Sequence, residues 1–142
     1  MIHHRVNRTE LSPLSFLKRS ASVFADKTAV VHGTRSYSYR HFEERVNRQA
    51  SALRNAGLKK GDRVAFLSPN APAMLEAHFG VPAAGGVLVA INIRLNAEEV
   101  GYIVEHSGAR FLFAYAELQP LVEALDLEGI RVIRIDFRMY KK

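Results

Sequence analysis

The sequence predicts a three-layer α/β fold that has a mostly parallel sheet with helical crossovers and one small antiparallel hairpin. From residue 63 onward, apolar runs of strand length alternate with segments of helical periodicity, in the order β-α-β-α-β-α-β. This alternation is typical of parallel strands joined by right-handed crossovers. Before it, the apolar run 28–32 is followed by Gly33-Thr34 and a second short run, which is the pattern of a two-residue hairpin.

Helix signals are clear in the first half of the chain. Residues 14–24 carry apolar side chains at helical spacing, and Ser38 is suited to cap a second helix that ends at Gly57. The apolar stripe of this second helix consists of Phe42, Val46, Ala50 and Leu53. A short buried strand is expected at 64–67.

The third helix is predicted to begin after Asn70, whose side chain can accept from a first-turn amide, with Pro72 tolerated in the first turn. Pro82 is expected to kink or end it. Its buried side is predicted to comprise Met74, Leu75, His78 and Phe79.

The second half begins with the uninterrupted apolar run 87–91, which predicts a strand covered on both faces. Asn96 and Glu99 then have capping-box spacing, and Leu95 and Val100 flank them as a hydrophobic staple. Gly108 is expected to end that helix. A strand at 111–113, a helix at 118–125 and a strand at 130–135 complete the prediction.

Composition indicates one globular domain or subdomain of 142 residues. Twenty Lys and Arg against 14 Asp and Glu give a net charge of +6, a balance also found in proteins that bind nucleic acid or anionic membranes. The basic residues are spread out, with clusters only at 5–8 and 131–142, so a solvated basic surface is favoured and no nucleic-acid partner is expected.

Cysteine is absent, which excludes disulfides and thiolate chemistry and fits the cytoplasm. No apolar run approaches the roughly 20 residues that span a bilayer, and the first residues have no secretory-signal pattern. We therefore expect a cytoplasmic protein without a transmembrane segment.

Ligands of open parallel sheets bind beyond the carboxyl ends of the strands, so the loops 68–71, 92–96 and 114–117 are the places to search. Arg94 lies in one of them and is the single candidate for binding an anionic cofactor, although a surface or salt-bridging role is favoured. No catalytic residue and no metal ligand is predicted, since no histidine pair has metal-ligand spacing. His78 is the most interesting histidine, and a packing role is favoured for it.

Three glycines, Gly80, Gly85 and Gly86, do not have the spacing of a phosphate-binding loop. A structural role, as helix stop and close-packing point, is predicted instead. A serine-hydrolase elbow of the G-x-S-x-G type is also absent from the sequence.

Two segments carry a resemblance to a known family. The segment SYSYRHFEERVNRQASAL resembles the first core motif of the adenylate-forming acyl-CoA synthetases (the AMP-dependent synthetases and ligases), and LEAHFGVPAAGGVLVAINIRLNAEEVGYIVEHSGARFLF resembles the second. The similarity covers about residues 11–136 and indicates the N-terminal part of such an enzyme, a fatty-acid-CoA ligase. Within that family, the sequence most resembles ligases for short- or medium-chain or methylthio-alkanoic acids.

The resemblance implies that the full enzyme joins a carboxylate to ATP, releases pyrophosphate, and then transfers the acyl group to coenzyme A, with Mg²⁺ assisting. The family's phosphate loop, metal-associated Thr-Glu pair, ribose-binding Asp and mobile Lys lie further along its chain and match nothing here. No catalytic residue is therefore carried over, and residues 1–136 are expected to act as scaffold only, with no cofactor bound. Residues 137–142 are expected to be a frayed or artificial tail.

Two further expectations concern partners. The chain is expected to pack against the remainder of a synthetase, or against itself, through exposed apolar surface. The alternative class is a non-catalytic module that binds an acyl group, a nucleotide or a protein.

Overall fold

A computed structural model describes residues 12–136, and the predicted tail at 137–142 lies outside them, as does the basic cluster 5–8. The helices are α1 (Pro13–Val23), α2 (Tyr39–Asn55), α3 (Pro72–Ala83), α4 (Ala97–Ser107) and α5 (Gln119–Glu123). The strands are β1 (Thr28–His32), β2 (Arg35–Ser38), β3 (Arg63–Leu67), β4 (Val87–Ile91), β5 (Ala109–Tyr115) and β6 (Arg131–Ile135). A 3₁₀ turn, Ala116–Leu118, precedes α5.

The predicted fold class is confirmed. β1 and β2 form an antiparallel pair, in which His32 faces Arg35 across the two-residue turn and Gly33 has φ +60°. The other strands form a parallel sheet in the order β4-β3-β5-β6. The chain therefore moves from β3 outward to β4 and then returns to the other side of β3, so that strand order reverses between β3 and β5.

Helices cover both faces of the parallel sheet. Successive β3 residues alternate between two cores, because side chains of a strand point to opposite faces in turn. Phe66 packs with α2 and α3 residues such as Leu53 and Ala77, whereas Leu67 packs with residues such as Val104 of α4. Both β3 side chains are fully buried.

Helix ends follow the local signals in most places. The Ser38 side chain accepts from the His41 amide at the start of α2, and Asn96 and Glu99 form the complete capping box of α4. Gly57 and Gly108 follow the ends of α2 and α4 with positive φ angles of +90° and +60°. Residues other than glycine rarely adopt this backbone conformation, which explains why α2 and α4 end where they do.

The predicted cap of α3 is wrong. Ala71, and not Asn70, occupies the N-cap position, and no side chain caps this helix. Pro72 fills the first turn as expected, and Pro82 lies one residue before the end.

The predicted buried side of α3 is also largely wrong. Met74 is buried, but Leu75 and His78 are exposed and Phe79 is only partly buried. An almost wholly apolar helix offers no polar face from which its orientation can be deduced. The residues that it buries are Pro72, Ala73, Met74, Glu76, Ala77, Gly80 and Val81.

β4 was predicted to be covered on both faces, and this is correct only in part. Leu88 packs against the core on the α3 side and Ile91 is buried in the core on the α4 side. β4 is nevertheless an edge strand, and Val87 is 50% exposed. The other differences between prediction and structure concern only where elements begin and end. β5 is longer than the predicted strand 111–113, and the predicted helix 118–125 is divided between the 3₁₀ turn and α5.

Candidate functional site

A cleft of about 530 Å³ opens at the carboxyl ends of β3 and β4. One wall is the β3–α3 loop with the adjoining part of α3, and the other is the end of β4 with the loop that follows. The lining residues are Ser68, Pro69, Asn70, Met74, His78, Ala90, Ile91, Asn92, Ile93 and Arg94. Two of the three loops selected from the sequence thus meet, whereas the third loop, 114–117, does not line this cleft.

Arg94 is held at the cleft by its backbone. Its amide donates to Asn92 Oδ1 at 3.0 Å, which shapes the turn after β4. Within residues 12–136, the guanidinium has no carboxylate in ion-pair range, and the residue is exposed. A cation without a counter-charge at the strand ends can contact a carboxylate or a phosphate group.

His78 lies on the opposite wall with a defined ring orientation. Its Nδ1 is 2.8 Å from the carbonyl oxygen of Met74. A carbonyl oxygen only accepts, so Nδ1 donates this hydrogen bond. His78 also lines a neighbouring apolar groove of about 290 Å³, between β1 and α3, whose lining includes Val30, Val31 and Leu75.

The remaining polar groups at the strand ends are engaged locally. Ser68 is 4% exposed, and its hydroxyl donates to the carbonyl oxygen of Pro69 at 3.0 Å. Burial raises the pKa of Tyr115 above its ordinary value, with smaller contributions from Glu117 and Asp136. The phenol therefore stays protonated at neutral pH, and neither side chain is arranged as a nucleophile with an adjacent base.

The three glycines have the structural role predicted for them. A Cβ on Gly80 would lie 3.2 Å from Gln49 Cβ, so α2 and α3 approach closely there. Gly85 has φ +93°, and a Cβ on Gly86 would lie 3.1 Å from Asp62 O. Within residues 12–136, no cluster of His, Cys, Asp or Glu could hold a metal ion.

Sequence reasoning missed one polar pair of the molecule's interior. Arg45 Nε donates to Glu76 Oε1 at 2.5 Å, between α2 and α3, and its guanidinium carbon lies 5.4 Å from the Tyr37 ring centroid. Glu76 is the single carboxylate of the mostly apolar α3. This could have indicated a buried ion pair, because buried charges are almost always paired. This pair fixes α3, which carries His78.

An open parallel sheet with a cleft beyond its strand ends defines a ligand-binding α/β class. The AMP-binding enzyme family matches residues 17–141 of this sequence. The chain belongs to that family.

Curated relatives support the same assignment. The chain is 49% identical over 127 residues to 4-hydroxybutyrate–CoA ligase 2 of Metallosphaera sedula, covering 89% of this chain and 23% of the relative. It is 44% identical over 117 residues to the peroxisomal acetate/butyrate–CoA ligase AAE7 of Arabidopsis thaliana, covering 82% and 21%. The chain thus spans less than a quarter of the length of these two relatives.

Solved structures share the fold. The anthranilate–CoA ligase AuaEII, in complex with anthranoyl-AMP, superposes with a TM-score of 0.82 at 28% identity, over 86% of this chain and 24% of that one. The N-terminal domain of FACL13 from Mycobacterium tuberculosis superposes with a TM-score of 0.81 at 27% identity, over 92% and 35%. The predicted resemblance to acyl-CoA synthetases is therefore confirmed, and a separate binding module is not favoured.

Proposed function

We propose that this chain is the scaffold part of an ATP-dependent acid–thiol ligase that acts on a short-chain carboxylic acid. The intact enzyme would join the carboxylate to the α-phosphate of ATP with loss of pyrophosphate, and the thiol of coenzyme A would then displace AMP to give a thioester. The observation that most strongly supports this proposal is the 49% identity to 4-hydroxybutyrate–CoA ligase 2 over 127 residues. The acetate/butyrate–CoA ligase relative supports the same short-chain substrate class.

The division of labour within the enzyme is part of the proposal. Binding two polyanions requires backbone amides, cations and Mg²⁺ directed at phosphate groups. Among residues 12–136, the cleft contributes one unpaired guanidinium, that of Arg94, and no metal cluster is found. These residues do not by themselves fit an ATP–Mg²⁺ site, so we propose that the remainder of the ligase supplies the catalytic groups.

A chimera tests this proposal. The matched 127-residue segment of 4-hydroxybutyrate–CoA ligase 2 is replaced by the corresponding part of this chain, and ATP–pyrophosphate exchange is measured with 4-hydroxybutyrate, acetate and butyrate. We expect a folded, active chimera and no exchange by the isolated chain. Turnover by the isolated chain would refute the scaffold assignment, and a folded but inactive chimera would refute the ligase assignment.

We also propose that Arg94 contacts a phosphate-bearing cofactor, ATP or coenzyme A. Its unpaired charge at the strand ends supports this assignment. A charge-assisted hydrogen bond contributes about 1.5–3 kcal/mol, so Arg94→Gln in the chimera is expected to raise the KM of one cofactor by roughly 10- to 100-fold. The matched control is Arg48→Gln, which removes an exposed arginine of α2, and unchanged KM values for both cofactors would contradict the proposal.

The isolated chain is proposed to self-associate. The groove between β1 and α3 presents apolar side chains, of which Val31 is 70% and Leu75 38% exposed, and the remainder of the ligase is the natural cover for them. Without that cover, such surface favours contact between copies. Light scattering is expected to show a dimer or higher oligomer, and a monomer at high concentration would contradict this.

We propose a cytoplasmic location, which the cysteine-free composition supports. Within residues 12–136, no helix is long and apolar enough to cross a membrane. Cell fractionation at high salt, which screens charge-based contact with membrane surfaces, is expected to recover the protein with cytoplasmic markers, and recovery in the interior of an organelle would contradict the proposal.

A further inference from the structure

The outer face of α1 combines exposed apolar and cationic side chains. Phe16, Arg19 and Val23 follow one another at i, i+3 and i+7, which places them on one side of the helix. Leu17 and Ala21 are 6% exposed and anchor the opposite side. Phe16 is 52% and Val23 61% exposed, so this face has no partner among residues 12–136.

The segment that follows α1 also exposes an apolar and a cationic side chain. Phe24 is 45% exposed, and the Lys27 Nζ lies 4.7 Å from its ring centroid. Arg19 is exposed within the helix, whereas Lys18, also exposed, lies two residues after Phe16 and therefore on another side of α1. We call Phe16, Arg19, Val23, Phe24 and Lys27 the α1 patch.

Charge around the α1 patch is one-sided. Residues 12–27 contain three cations and a single carboxylate, that of Asp26. Asp26 is occupied by Arg40, whose Nη2 lies 3.2 Å from its Oδ1. The α1 patch is therefore apolar and positively charged, and it complements a surface that is apolar and negatively charged.

We propose that the α1 patch docks the protein on the surface of an anionic lipid bilayer. The patch is the outer side of a helix and lines none of the clefts described above, so it suits a fluid surface that conforms to it better than a small molecule that must be enclosed. Phenylalanine and valine side chains enter the interface, while the neighbouring cations attract anionic headgroups. This inference does not depend on the ligase activity.

Vesicle flotation of the whole chain tests the proposal, with phosphatidylcholine vesicles compared with vesicles that contain a third of phosphatidylglycerol. We expect flotation with the anionic vesicles, weak flotation with the neutral ones, and release at high salt, because salt screens the attraction between exposed charges. No flotation with anionic vesicles at low salt, or equal flotation with both kinds, would overturn the proposal.

Substitutions in the α1 patch test whether it is responsible for binding to anionic vesicles. Phe16→Ser combined with Val23→Ser is expected to lower the partition coefficient at least tenfold, and Arg19→Gln about fivefold, as one cation near an anionic leaflet implies. The matched control is Tyr102→Ser, which removes a 63% exposed aromatic side chain from α4. Circular dichroism verifies that each variant is folded, and an equal loss in Tyr102→Ser would refute the assignment to α1.

Discussion

Arg45 of α2 and Glu76 of α3 form an ion pair whose carboxylate side chain is only 6% exposed. The guanidinium approaches both carboxylate oxygens, at 2.5 Å and 3.3 Å, so the contact is bidentate. Such geometry offsets part of the desolvation cost of burying a charge, whereas removal of one partner leaves the other charge uncompensated.

The first prediction concerns this pair. Glu76→Ala is expected to lower the free energy of unfolding by about 3 kcal/mol, because Arg45 then remains partly buried without its counter-charge. Glu44→Ala is the control: its pair with Arg48 spans 3.8 Å, both side chains are exposed, and a change below about 0.5 kcal/mol is expected. Urea unfolding followed by circular dichroism measures both, and similar losses in the two variants would contradict the burial argument.

The second prediction concerns the close approach of α2 and α3. Gly80→Ala places a Cβ 2.1 Å from Gln49 Oε1 and 3.0 Å from its Cδ, so the glutamine must move. The Gln49 amide is the flexible end of its side chain and can turn away, whereas Gln49 Cβ, which would lie 3.2 Å from the new Cβ, is attached to the α2 backbone. Overpacking costs about 1–3 kcal/mol and opposes the roughly 1 kcal/mol that alanine gains over glycine in a helix. We expect a net loss of up to about 1 kcal/mol in unfolding experiments.

Two further variants test that explanation. Gln49→Ala in the Gly80→Ala background removes both the clash and the unpartnered buried Gln49 Oε1, and it is expected to restore stability. Gly101→Ala in α4 meets nothing closer than Leu125 Cδ2 at 3.7 Å, so it is expected to stabilise by about 0.5–1 kcal/mol. No rescue by Gln49→Ala would exclude contact with Gln49 as the cause, and a destabilising Gly101→Ala would contradict the gain assigned to alanine.

The third prediction is a pH dependence. The pKa of Asp62 lies below its unfolded value of 3.8, first because the Lys59 backbone amide donates to its carboxylate and further because Arg110 lies 2.7 Å away. A depressed folded pKa contributes stability that is present above pH 3.8 and is lost as pH falls through the folded pKa.

Asp62→Asn should therefore lower the thermal midpoint near neutral pH, and the difference from the native chain should shrink as the solution is acidified below pH 3.8. Asp26→Asn provides the comparison, because the Asp26 side chain is 90% exposed. A difference between Asp62→Asn and the native chain that persists unchanged in acid would rule out the carboxylate as its source.

The fourth prediction contrasts two asparagines before helices. Asn96 Oδ1 accepts from the Glu99 amide at 3.0 Å, so Asn96→Ala is expected to cost about 1 kcal/mol. Asn70 does not cap α3, and Asn70→Ala is expected to change stability by less than about 0.5 kcal/mol. Chemical unfolding measures the free energy of unfolding of both variants. Equal losses would mean that Asn70 also contributes as a helix cap.

The comparison between Asn96 and Asn70 also illustrates which features were predictable from the sequence. Caps and stops that depend on a few neighbouring residues, such as Ser38 and Gly108, were predicted correctly. Features set by distant residues were not: the edge position of β4 depends on where β5 joins the sheet, and the burial of Glu76 depends on Arg45, 31 residues away. The loops on both sides of the cleft, 68–71 and 92–96, were selected from the sequence by their positions after strands, whereas the contribution of Met74 and His78 required the true orientation of α3.

The strand order β4-β3-β5-β6 has a consequence for the growing polypeptide. β3 can pair with β4 once residue 91 has left the ribosome, but its other edge stays open until β5 is complete at residue 115. During those 24 residues of synthesis, an apolar strand with unpaired backbone groups faces the surroundings of the nascent chain. The interval between β4 and β5, rather than the finished sheet, is therefore the stage at which chaperone contact or mispairing would begin.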